Sequence, residues 1–212
     1  MHFEILVEDV SGKKFLDNIV PKIIGDNSFN VISYKGVGRI PPNMNKSVDA
    51  SKRILLDNLP RLLSGYGKSW QWGYEAVVIV VCDLDNKCLK SFRDDLTELL
   101  NNCNPAPTTC FCIAIEEGEA WLLGDITAIK QAYPNAKDAI LKSYINDSIC
   151  RTWEKLADAI YQGGSKKLSE QGWVTIGKEK SNWAENITPY MVIDNNTSPS
   201  FNCFVQQLKS FI

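Results

Sequence analysis

The sequence contains 212 residues, of which 44% are hydrophobic and 23% are charged, and its formal net charge is -2. These proportions are typical of a globular protein with one ordinary core, and no run approaches the ~20 apolar residues that cross a bilayer. The acidic balance excludes a protein that coats nucleic acid through overall positive charge. A strand-like run, MHFEILVEDV, opens the chain without the features of a secretory signal, so we expect a cytoplasmic protein with no membrane association.

The seven cysteines are an odd number, and several lie inside apolar runs. Buried cysteine usually behaves as a small hydrophobic residue, so we expect reduced, structural thiols. Cys110 and Cys112 would share one face of a strand, which raises the alternative of a zinc site. That alternative is disfavoured because the chain has no C-x-x-C pair and a single histidine, His2.

The first part of the chain predicts a strand, a helix and a second strand. The run FEILVE at 3–8 is a short apolar strand, and Ser11 follows as a plausible N-cap for a helix with apolar residues at helical spacing. Residues 30–34 can form the second strand. The segment KGVGRIPPN at 35–43 is rich in glycine, proline and basic residues and predicts a loop. A second helix is expected at about 48–63.

The clearest element is the run AVVIVVC at 76–82, which is rich in β-branched residues and has no polar alternation. Such a run is typical of a central parallel strand that is covered on both faces. A helix with regularly spaced leucines follows, and CFCIAI at 110–115 predicts another buried strand. Strands that alternate with helices indicate a mostly parallel sheet, so we predict an α/β, Rossmann-like fold with helices on both faces of the sheet.

Beyond residue 125 the hydrophobic pattern weakens. We expect a single domain over 1–212, with a core at about 1–125 and a helical C-terminal elaboration at about 126–212. The helices expected in the elaboration lie near 128–132, 136–144, 152–161 and 201–211.

Acidic residues follow three of the predicted strands at the points where those strands end. They are Glu8 after the first strand, Asp83 and Asp85 after the central one, and Glu116, Glu117 and Glu119 after the next. Each one alone is more simply a solvated turn or N-cap residue. In an open α/β sheet, however, ligands bind beyond the carboxyl ends of the strands, where these residues would gather.

The spacing of the DxD segment adds to this expectation. If strand geometry continues from Asp83 to Asp85, both carboxylates lie on one side, roughly 6.6 Å apart. With Glu8 they would form a site for Mg²⁺ or Mn²⁺, because a bound cation relieves the repulsion between clustered carboxylates.

Four segments carry a resemblance to a known family: ILVEDVSGKKFLDNIVPKII, VVIVVCDLDN, IAIEEGEAWLLGD and SPSFNCFVQQL. In this order they span nearly the whole chain, which resembles a Toprim-like domain protein of the DUF4276 family, related to the Toprim nucleases of OLD-type ATPases. The EAWLLGD segment and the SPSF ending are more specific than a lone glutamate or the DxD segment. The resemblance implies a Toprim-like fold and a magnesium-dependent nuclease activity.

The resemblance also implies roles for four acidic residues. Glu8 would be a metal ligand or general base, Asp83 and Asp85 would hold magnesium, and Glu119 would support the site. Toprim domains commonly place a glycine directly after the first glutamate, where this chain has Asp9. An additional carboxylate at this position could join the site or mark a modified activity.

Basic and aromatic residues complete the candidate site. Lys178, with Lys180 close by in GKEKSNWAENI, could supply a cation to the transition state, as a lysine does in the related nucleases; a solvated charged face is the alternative. Lys35 and Arg39 lie in the glycine-containing loop and could bind phosphates of nucleic acid, although a plain surface loop explains them equally well. Trp121 is expected to anchor its helix in the core, with base stacking as a less favoured interpretation.

The functional hypothesis is a magnesium-dependent nuclease that hydrolyses phosphodiester bonds in DNA or RNA, with Glu8, Asp83, Asp85, Glu119 and Lys178 as its catalytic residues. The chain has no phosphate loop of the type G-x-x-x-x-G-K-[ST], and the OLD-type resemblance implies a separate ATPase partner and a role in phage defence. Two alternatives stay open: a non-catalytic subunit that binds metal or docks onto a partner, and a nucleotidyl transferase of the primase type.

Overall fold

The computed structural model of the protein describes residues 1–41, 49–70, 74–148 and 151–212. Its centre is a four-stranded sheet in the order β2-β1-β3-β4, in which all neighbouring strands are parallel. The strands are β1 (His2–Val7), β2 (Ser28–Ser33), β3 (Ala76–Asp83) and β4 (Thr109–Ala114). The predicted α/β, Rossmann-like fold is therefore confirmed.

Ten α-helices flank the sheet within the described ranges. They are α1 (Val10–Ile24), α2 (Leu55–Ser69), α3 (Leu89–Asn101), α4 (Glu119–Leu123), α5 (Ile126–Ala132), α6 (Asp138–Lys142), α7 (Thr152–Ile160), α8 (Gly164–Ser169), α9 (Trp173–Ile187) and α10 (Pro199–Lys209). None of these helices has the length and apolar character that spanning a membrane would require.

The sheet is buried on both faces, as the apolar run in β3 predicts. Val77 and Ile79 point into the core on the side of α1, α9 and α10, whereas Val78 and Val80 point into the core on the side of α2 and α3. All four side chains are completely buried. Burial of one such side chain stabilises the fold by about 1.5–3 kcal/mol. The side chains at the strand ends are therefore attached to a tightly packed and buried sheet.

The strand order creates a crevice at the carboxyl ends of β1 and β3. Val7, the last residue of β1, lies between Ser33 of β2 and Val81 of β3. After β1 the chain enters α1 on one face of the sheet, and after β3 it enters α3 on the other face. Because the two connections diverge, this edge is the topological switch point at which open α/β sheets bind their ligands.

The first helix is capped by a different residue from the predicted one. Asp9 has an extended backbone and is the N-cap of α1, and its Oδ1 accepts a hydrogen bond from the N–H of Gly12 at 2.7 Å. Ser11, the predicted cap, lies inside the helix, and its hydroxyl donates to Asp9 Oδ2 at 2.6 Å. The prediction was wrong because an aspartate two residues earlier already occupies the capping position.

The helix predicted at 48–63 lies further along the chain. Position 48 is outside the described residues, Ala50–Lys52 form a single 3₁₀ turn, and α2 starts only after Arg53. Arg53 has a left-handed backbone (φ 52°), which a continuous helix does not permit, and its carbonyl accepts from the N–H of Lys35 at 2.8 Å. The predicted start was wrong because this contact with the loop after β2 is not visible in the hydrophobic pattern.

In the C-terminal part, four helices were predicted and two were missed. The helices expected near 128–132, 136–144, 152–161 and 201–211 correspond to α5, α6, α7 and α10 with shifted ends. α8 and the 15-residue α9 were not predicted. Ile176, Trp183 and Ile187 are buried on α9, but Lys180 stands between them in the same stripe. A charged residue at that position weakens the helical periodicity from which a helix is predicted.

The six cysteines in the described part of the chain are free thiols. Cys110 and Cys112 share one face of β4, and their sulfur atoms are 3.7 Å apart. Both side chains are buried in the core, which agrees with their interpretation as small apolar residues.

Candidate active site

A pocket lies at the carboxyl ends of β1 and β3, between the start of α1, α4 and the middle of α9. It contains about 510 Å³ of empty space, a volume that includes its open mouth. Its polar lining comprises Glu8, Asp9, Ser11, Asp83, Glu119 and Lys180. The fold thus brings together charged side chains from four segments that are distant in the sequence.

Glu8 and Asp83 are direct neighbours in this pocket. The N–H of Asp83 donates to Oε2 of Glu8 at 3.2 Å. Burial, with smaller contributions from the charges of Asp9 and Asp85, raises the pKa of Glu8 from 4.5 to about 7. Burial and the charge of Glu8 also raise the pKa of Asp83 well above its ordinary value. Full ionisation of both carboxylates is therefore unfavourable without an additional cation.

Lys180 supplies a positive charge to this pocket. Its Nζ lies 2.9 Å from Oε2 of Glu119 and 3.9 Å from Oε1 of Glu117. Burial alone would lower the pKa of Lys180, but the carboxylates of Glu119, Glu117 and Asp83 outweigh burial and raise it. Lys180 is consequently charged at neutral pH.

Two further carboxyl groups share this lysine. Burial raises the pKa of Glu117 to about 7, and burial also raises the pKa of Glu119, while in both cases Lys180 lowers it. Among the pocket-lining residues that the structure describes, Lys180 is the only cation. One ammonium group thus faces Glu8, Asp83, Glu117 and Glu119, and the pocket has an excess of acidic groups that attracts a second cation.

Asp85 does not extend the strand as the DxD spacing assumed. β3 ends at Asp83, and Asp85 has a left-handed backbone (φ 50°), so the two carboxylates are not presented side by side on a strand. Oδ2 of Asp85 accepts from Nζ of Lys87 at 2.9 Å. Asp85 is still near enough for its charge to raise the pKa of Glu8. It lies at the periphery of the pocket, whereas Asp83 lies inside it.

Asp9 borders the pocket, but its two oxygens already accept hydrogen bonds within α1. Oδ1 accepts from Gly12 N–H and Oδ2 accepts from the Ser11 hydroxyl. An aspartate at this position therefore caps the first helix. Both of its carboxylate oxygens are used in α1, while its negative charge adds to the acidity of the pocket.

Glu116 and Glu117 bind the start of α7. Glu116 accepts from the N–H groups of Arg151 and Thr152 at 2.7 and 2.8 Å and from the Thr152 hydroxyl, and Glu117 accepts from the N–H of Trp153 at 3.2 Å. Carboxylates are favourable at a helix N-terminus, where backbone N–H groups lack partners in the helix. Glu116 thus has a capping role, while Glu117 serves both α7 and Lys180.

The three predicted basic residues lie outside the pocket. Lys178 is exposed on α9, and of the two lysines in its segment the structure places Lys180 in the pocket. Lys35 and Arg39 are exposed on the loop after β2, which is irregular over 35–41; positions 42 and 43 of the predicted loop lie outside the described residues.

This loop is adjacent to the pocket through its backbone. The N–H of Gly36 donates to the carbonyl of Glu8 at 2.7 Å. Gly38 has φ 71°, and a Cβ at this position would lie 2.1 Å from Cγ2 of Ile54, so packing requires glycine there. The loop backbone is therefore attached next to Glu8, and the loop carries two exposed cationic residues, Lys35 and Arg39.

Trp121 is buried in the core, as expected. Its ring stacks on Phe204 with 5.0 Å between centroids, and its Nε1 donates to the Ser200 hydroxyl at 2.8 Å. Ser198 in the same SPSF segment is the N-cap of α10, and its side chain accepts from the N–H of Phe201. The two more specific segments of the sequence, EAWLLGD and SPSF, thus contact each other and hold α4 with Glu119 in place.

The donor set fits a magnesium or manganese ion only in part. No group of three or more His, Cys, Asp or Glu side chains in the described residues stands in an arrangement that could hold a metal ion. Magnesium is, however, commonly bound through one or two carboxylates together with water and substrate phosphates. Glu8 and Asp83 meet that smaller requirement, and the raised pKa values of both show that a cation beside them would be stabilising.

Comparison with known proteins gives one match. The family described as a domain of unknown function, DUF4276, matches residues 7–209, which is most of the chain. No curated protein and no solved structure matches the sequence.

Proposed function

The chain belongs to the DUF4276 family, and from its pocket we propose that it is a magnesium-dependent phosphodiester hydrolase that acts on DNA or RNA. One observation carries the proposal: Glu8 and Asp83 meet at the switch point of the sheet with raised pKa values and a single lysine opposite them. A structural cluster has no need of surplus buried carboxylates, whereas a site for a cation and a phosphate does.

Glu8 and Asp83 would hold the ion, with Asp85 at the periphery. When bound, magnesium or manganese supplies a Lewis acid that activates water and stabilises charge on phosphate oxygens. As its alternative role, the carboxylate of Glu8 would accept a proton from an attacking water; in the metal-free protein burial raises its pKa to about 7. Residues at the ends of β1 and β3 would thus combine binding with proton transfer.

Lys180 would stabilise the negative charge that develops on the phosphate. Its ammonium group is paired with Glu119 at 2.9 Å and lies in the same pocket as Glu8 and Asp83. A preorganised cation in a largely buried site stabilises a transition state more than a mobile surface cation does. We therefore assign to Lys180 the role predicted for Lys178, with Glu119 as its positioning residue.

The wider setting belongs to the same proposal. The Toprim-like segments and their relation to the nucleases of OLD-type ATPases support a nuclease that works with an ATPase partner, in phage defence. Lys35 and Arg39, exposed on the loop that is hydrogen-bonded to Glu8, would bind phosphates of the DNA or RNA next to the scissile one.

The test is a cleavage assay on supercoiled plasmid, linear duplex and single-stranded substrates with Mg²⁺ or Mn²⁺. We expect cleavage that is abolished by EDTA and by Asp83→Asn, which keeps the volume of the side chain but removes its charge. Arg39→Ala should weaken binding without abolishing cleavage. If neither the wild type nor Asp83→Asn cleaves any substrate in the presence of metal, and both are equally folded, the proposed enzymatic function is contradicted. The length of products formed with labelled nucleotides separates hydrolysis from nucleotidyl transfer of the primase type.

A second candidate function, docking onto a partner as a non-catalytic subunit, is favoured by a groove at β4. β4 ends the strand order, so one of its edges has no neighbouring strand among the described residues. The groove beside that edge is walled by Leu89 and Arg93 of α3 and by Cys203 of α10, and the Arg93 guanidinium has no ion pair within the described part of the chain.

This groove suits an extended peptide that carries a carboxylate. α3 and α10 line the groove together with residues of β4, so an extended peptide that added to the edge of β4 would lie between these helices, with Arg93 as a cation and Asp147 as an anion in the lining. Selection from a displayed library of random peptides should enrich acidic, extended sequences, and Arg93→Glu should reverse the preference to basic ones. Enrichment that is indifferent to the Arg93→Glu change would remove the support for docking at this edge.

A further inference from the structure

A strip of surface on α9 leads away from the pocket. Trp173, Gly177 and Lys180 are spaced by four and three residues, so they lie on one face of the helix. Lys180 is in the pocket, whereas 79% of the surface of Trp173 is exposed. A large indole ring with most of its surface in water is unusual, and Gly177, between Trp173 and Lys180, is exposed as well.

The direction of α9 places Trp173 beyond the carboxyl edge of the sheet, the edge at which the pocket lies. α9 runs beside α1 in the same direction, since Lys14 pairs with Glu185 and, further along, Nζ of Lys22 donates to the carbonyl of Thr188 at 2.8 Å. α1 begins at the carboxyl edge of the sheet, so residues earlier than Lys180 extend beyond that edge. Trp173 is seven residues earlier, which corresponds to about 10.5 Å of helix.

Gly177 leaves this strip bare between the indole and the ammonium group. A Cβ added at Gly177 would meet no described atom within 4 Å, so packing in the described protein does not require glycine. Glycine inside a helix costs about 0.5–1 kcal/mol relative to alanine. The surface between the exposed indole ring and the cation of the pocket is therefore open, and a ligand could lie across it without displacing a side chain at position 177.

We propose that the strip Trp173–Gly177–Lys180 binds an unpaired base on Trp173, with the phosphate of that strand directed to Lys180. This inference rests on the proposed nuclease function and names its substrate class: single-stranded or locally unpaired nucleic acid. Bases stack on exposed aromatic rings whatever their identity, because every base has a π face. In a continuous duplex the bases are already stacked on each other and are not available to Trp173. Lys166 and Lys167, exposed on the preceding α8, add positive charge on this side of the molecule.

The test measures binding of a fluorescein-labelled single-stranded oligonucleotide and of its hairpin duplex, by anisotropy, in an Asp83→Asn background that prevents cleavage during the titration. Stacking of one base corresponds to about 5- to 150-fold in affinity. We expect Trp173→Ala to weaken single-strand binding about tenfold and Trp173→Phe to retain most of it. Gly177→Leu should weaken it similarly, since leucine fills the bare strip.

Two matched controls separate this effect from a change in folding. Gly65 is also an exposed helical glycine with no atom within 4 Å of an added Cβ, but it lies on α2, so Gly65→Leu should leave binding unchanged. Val174, 90% exposed next to Trp173, lies on another side of α9, and Val174→Ala should be equally neutral. Equal affinity of wild type and Trp173→Ala, equal affinity for single strand and duplex, or no binding to either would overturn the proposal.

The outcomes also separate this inference from the proposed function. If cleavage depends on Asp83 but not on Trp173, the proposed binding role of the strip is contradicted and the proposed nuclease function is retained. Single-strand binding that depends on Trp173, without cleavage of any substrate, overturns the nuclease and supports the strip as a binding surface.

Discussion

Glu4 lies within β1 and Glu8 directly follows its last residue, and the surroundings of these two glutamates differ. Glu4 is 8% exposed, and its carboxylate accepts from the Tyr66 hydroxyl at 3.0 Å and from Nδ2 of Asn30 at 3.2 Å, with Nε2 of His2 at 3.3 Å. Within the described residues Glu8 accepts one hydrogen bond, from the N–H of Asp83 at 3.2 Å, and further carboxylates lie near it. The described part of the chain thus supplies Glu4 with three donors and Glu8 with one.

This difference is the one expected between a structural carboxylate and a carboxylate with the proposed functional role. Burial and the carboxylate of Glu4 raise the pKa of Tyr66, so its hydroxyl stays protonated and continues to donate. Around Glu8, burial raises the pKa of the carboxyl group itself. A buried polar group without sufficient partners costs stability, and proteins keep such groups chiefly where a ligand completes them. Burial of acidic residues alone would not have told the two apart.

The largest expected difference is in activity. Glu8→Gln should lower the cleavage rate by about 10²- to 10⁴-fold, the range for loss of a general base, because the amide cannot accept the proton of water. Glu4→Gln, the matched change on the same strand, should leave the rate nearly unchanged, since it lies away from the pocket. Single-turnover rates with saturating Mg²⁺ measure both. Equal losses in the two variants would show that the contrast between these glutamates is not functional.

The next effect is in stability at Lys180. Lys180→Met should destabilise the protein by about 3–5 kcal/mol at pH 7, because it leaves the buried Glu119 without its counter-charge. Lys178→Met, two residues earlier on the exposed surface, should change the free energy of unfolding by less than about 0.5 kcal/mol. Urea denaturation of both variants checks this pair. If Lys180→Met leaves the free energy of unfolding unchanged, Glu119 is protonated or solvated rather than paired with Lys180.

A smaller effect on stability is expected at Glu4, the glutamate with several hydrogen-bond donors. Tyr66→Phe removes the hydroxyl that donates to Glu4 and should destabilise the protein by about 1–3 kcal/mol, the cost of a buried acceptor that loses its partner. Thermal unfolding monitored by circular dichroism is sufficient to measure it. Tyr161→Phe is a suitable control, since the Tyr161 hydroxyl accepts only from the exposed Gln171 at 3.0 Å. The same loss in both variants would indicate a general effect of the hydroxyl rather than of the Glu4 contact.

The strand ends of this protein were predictable, and the geometry beyond them was not. The apolar run of β3 fixes a central strand, and its end at Asp83 follows from the sequence because a buried strand cannot continue through DLDN. The left-handed backbone of Asp85 depends on its N–H bonding to the carbonyl of Glu116, a contact between segments that no local pattern encodes. Spacing on an ideal strand therefore misplaced the second aspartate.

Lys180 shows the same limit of prediction from sequence, but here a residue of the pocket was missed rather than misplaced. A lysine within a buried stripe breaks the periodicity that reveals a helix, so the residue that gives α9 its proposed role also concealed the helix. In retrospect one signal was available: Ile176, Trp183 and Ile187 keep helical spacing once Lys180 is counted as an inward-facing residue. Functional residues are expected to violate local rules in this way.

The smallest expected effect is a pH-dependent change in the stability of the metal-free protein. The folded-state pKa of Glu8 is about 7, above its ordinary 4.5, so the stabilisation from its protonated form is fully present below about pH 4.5 and is lost as the pH rises through 7. Glu8→Gln cannot ionise and should therefore be more stable than the wild type at pH 8 in EDTA, by on the order of 1 kcal/mol, and no more stable at pH 4.5. Urea denaturation at the two pH values measures the difference. Mg²⁺ at pH 8 should stabilise the wild type and not the variant, because binding to the folded state alone adds to stability. A wild type whose stability is flat from pH 4.5 to 8 would place Glu8 among the satisfied carboxylates, together with Glu4.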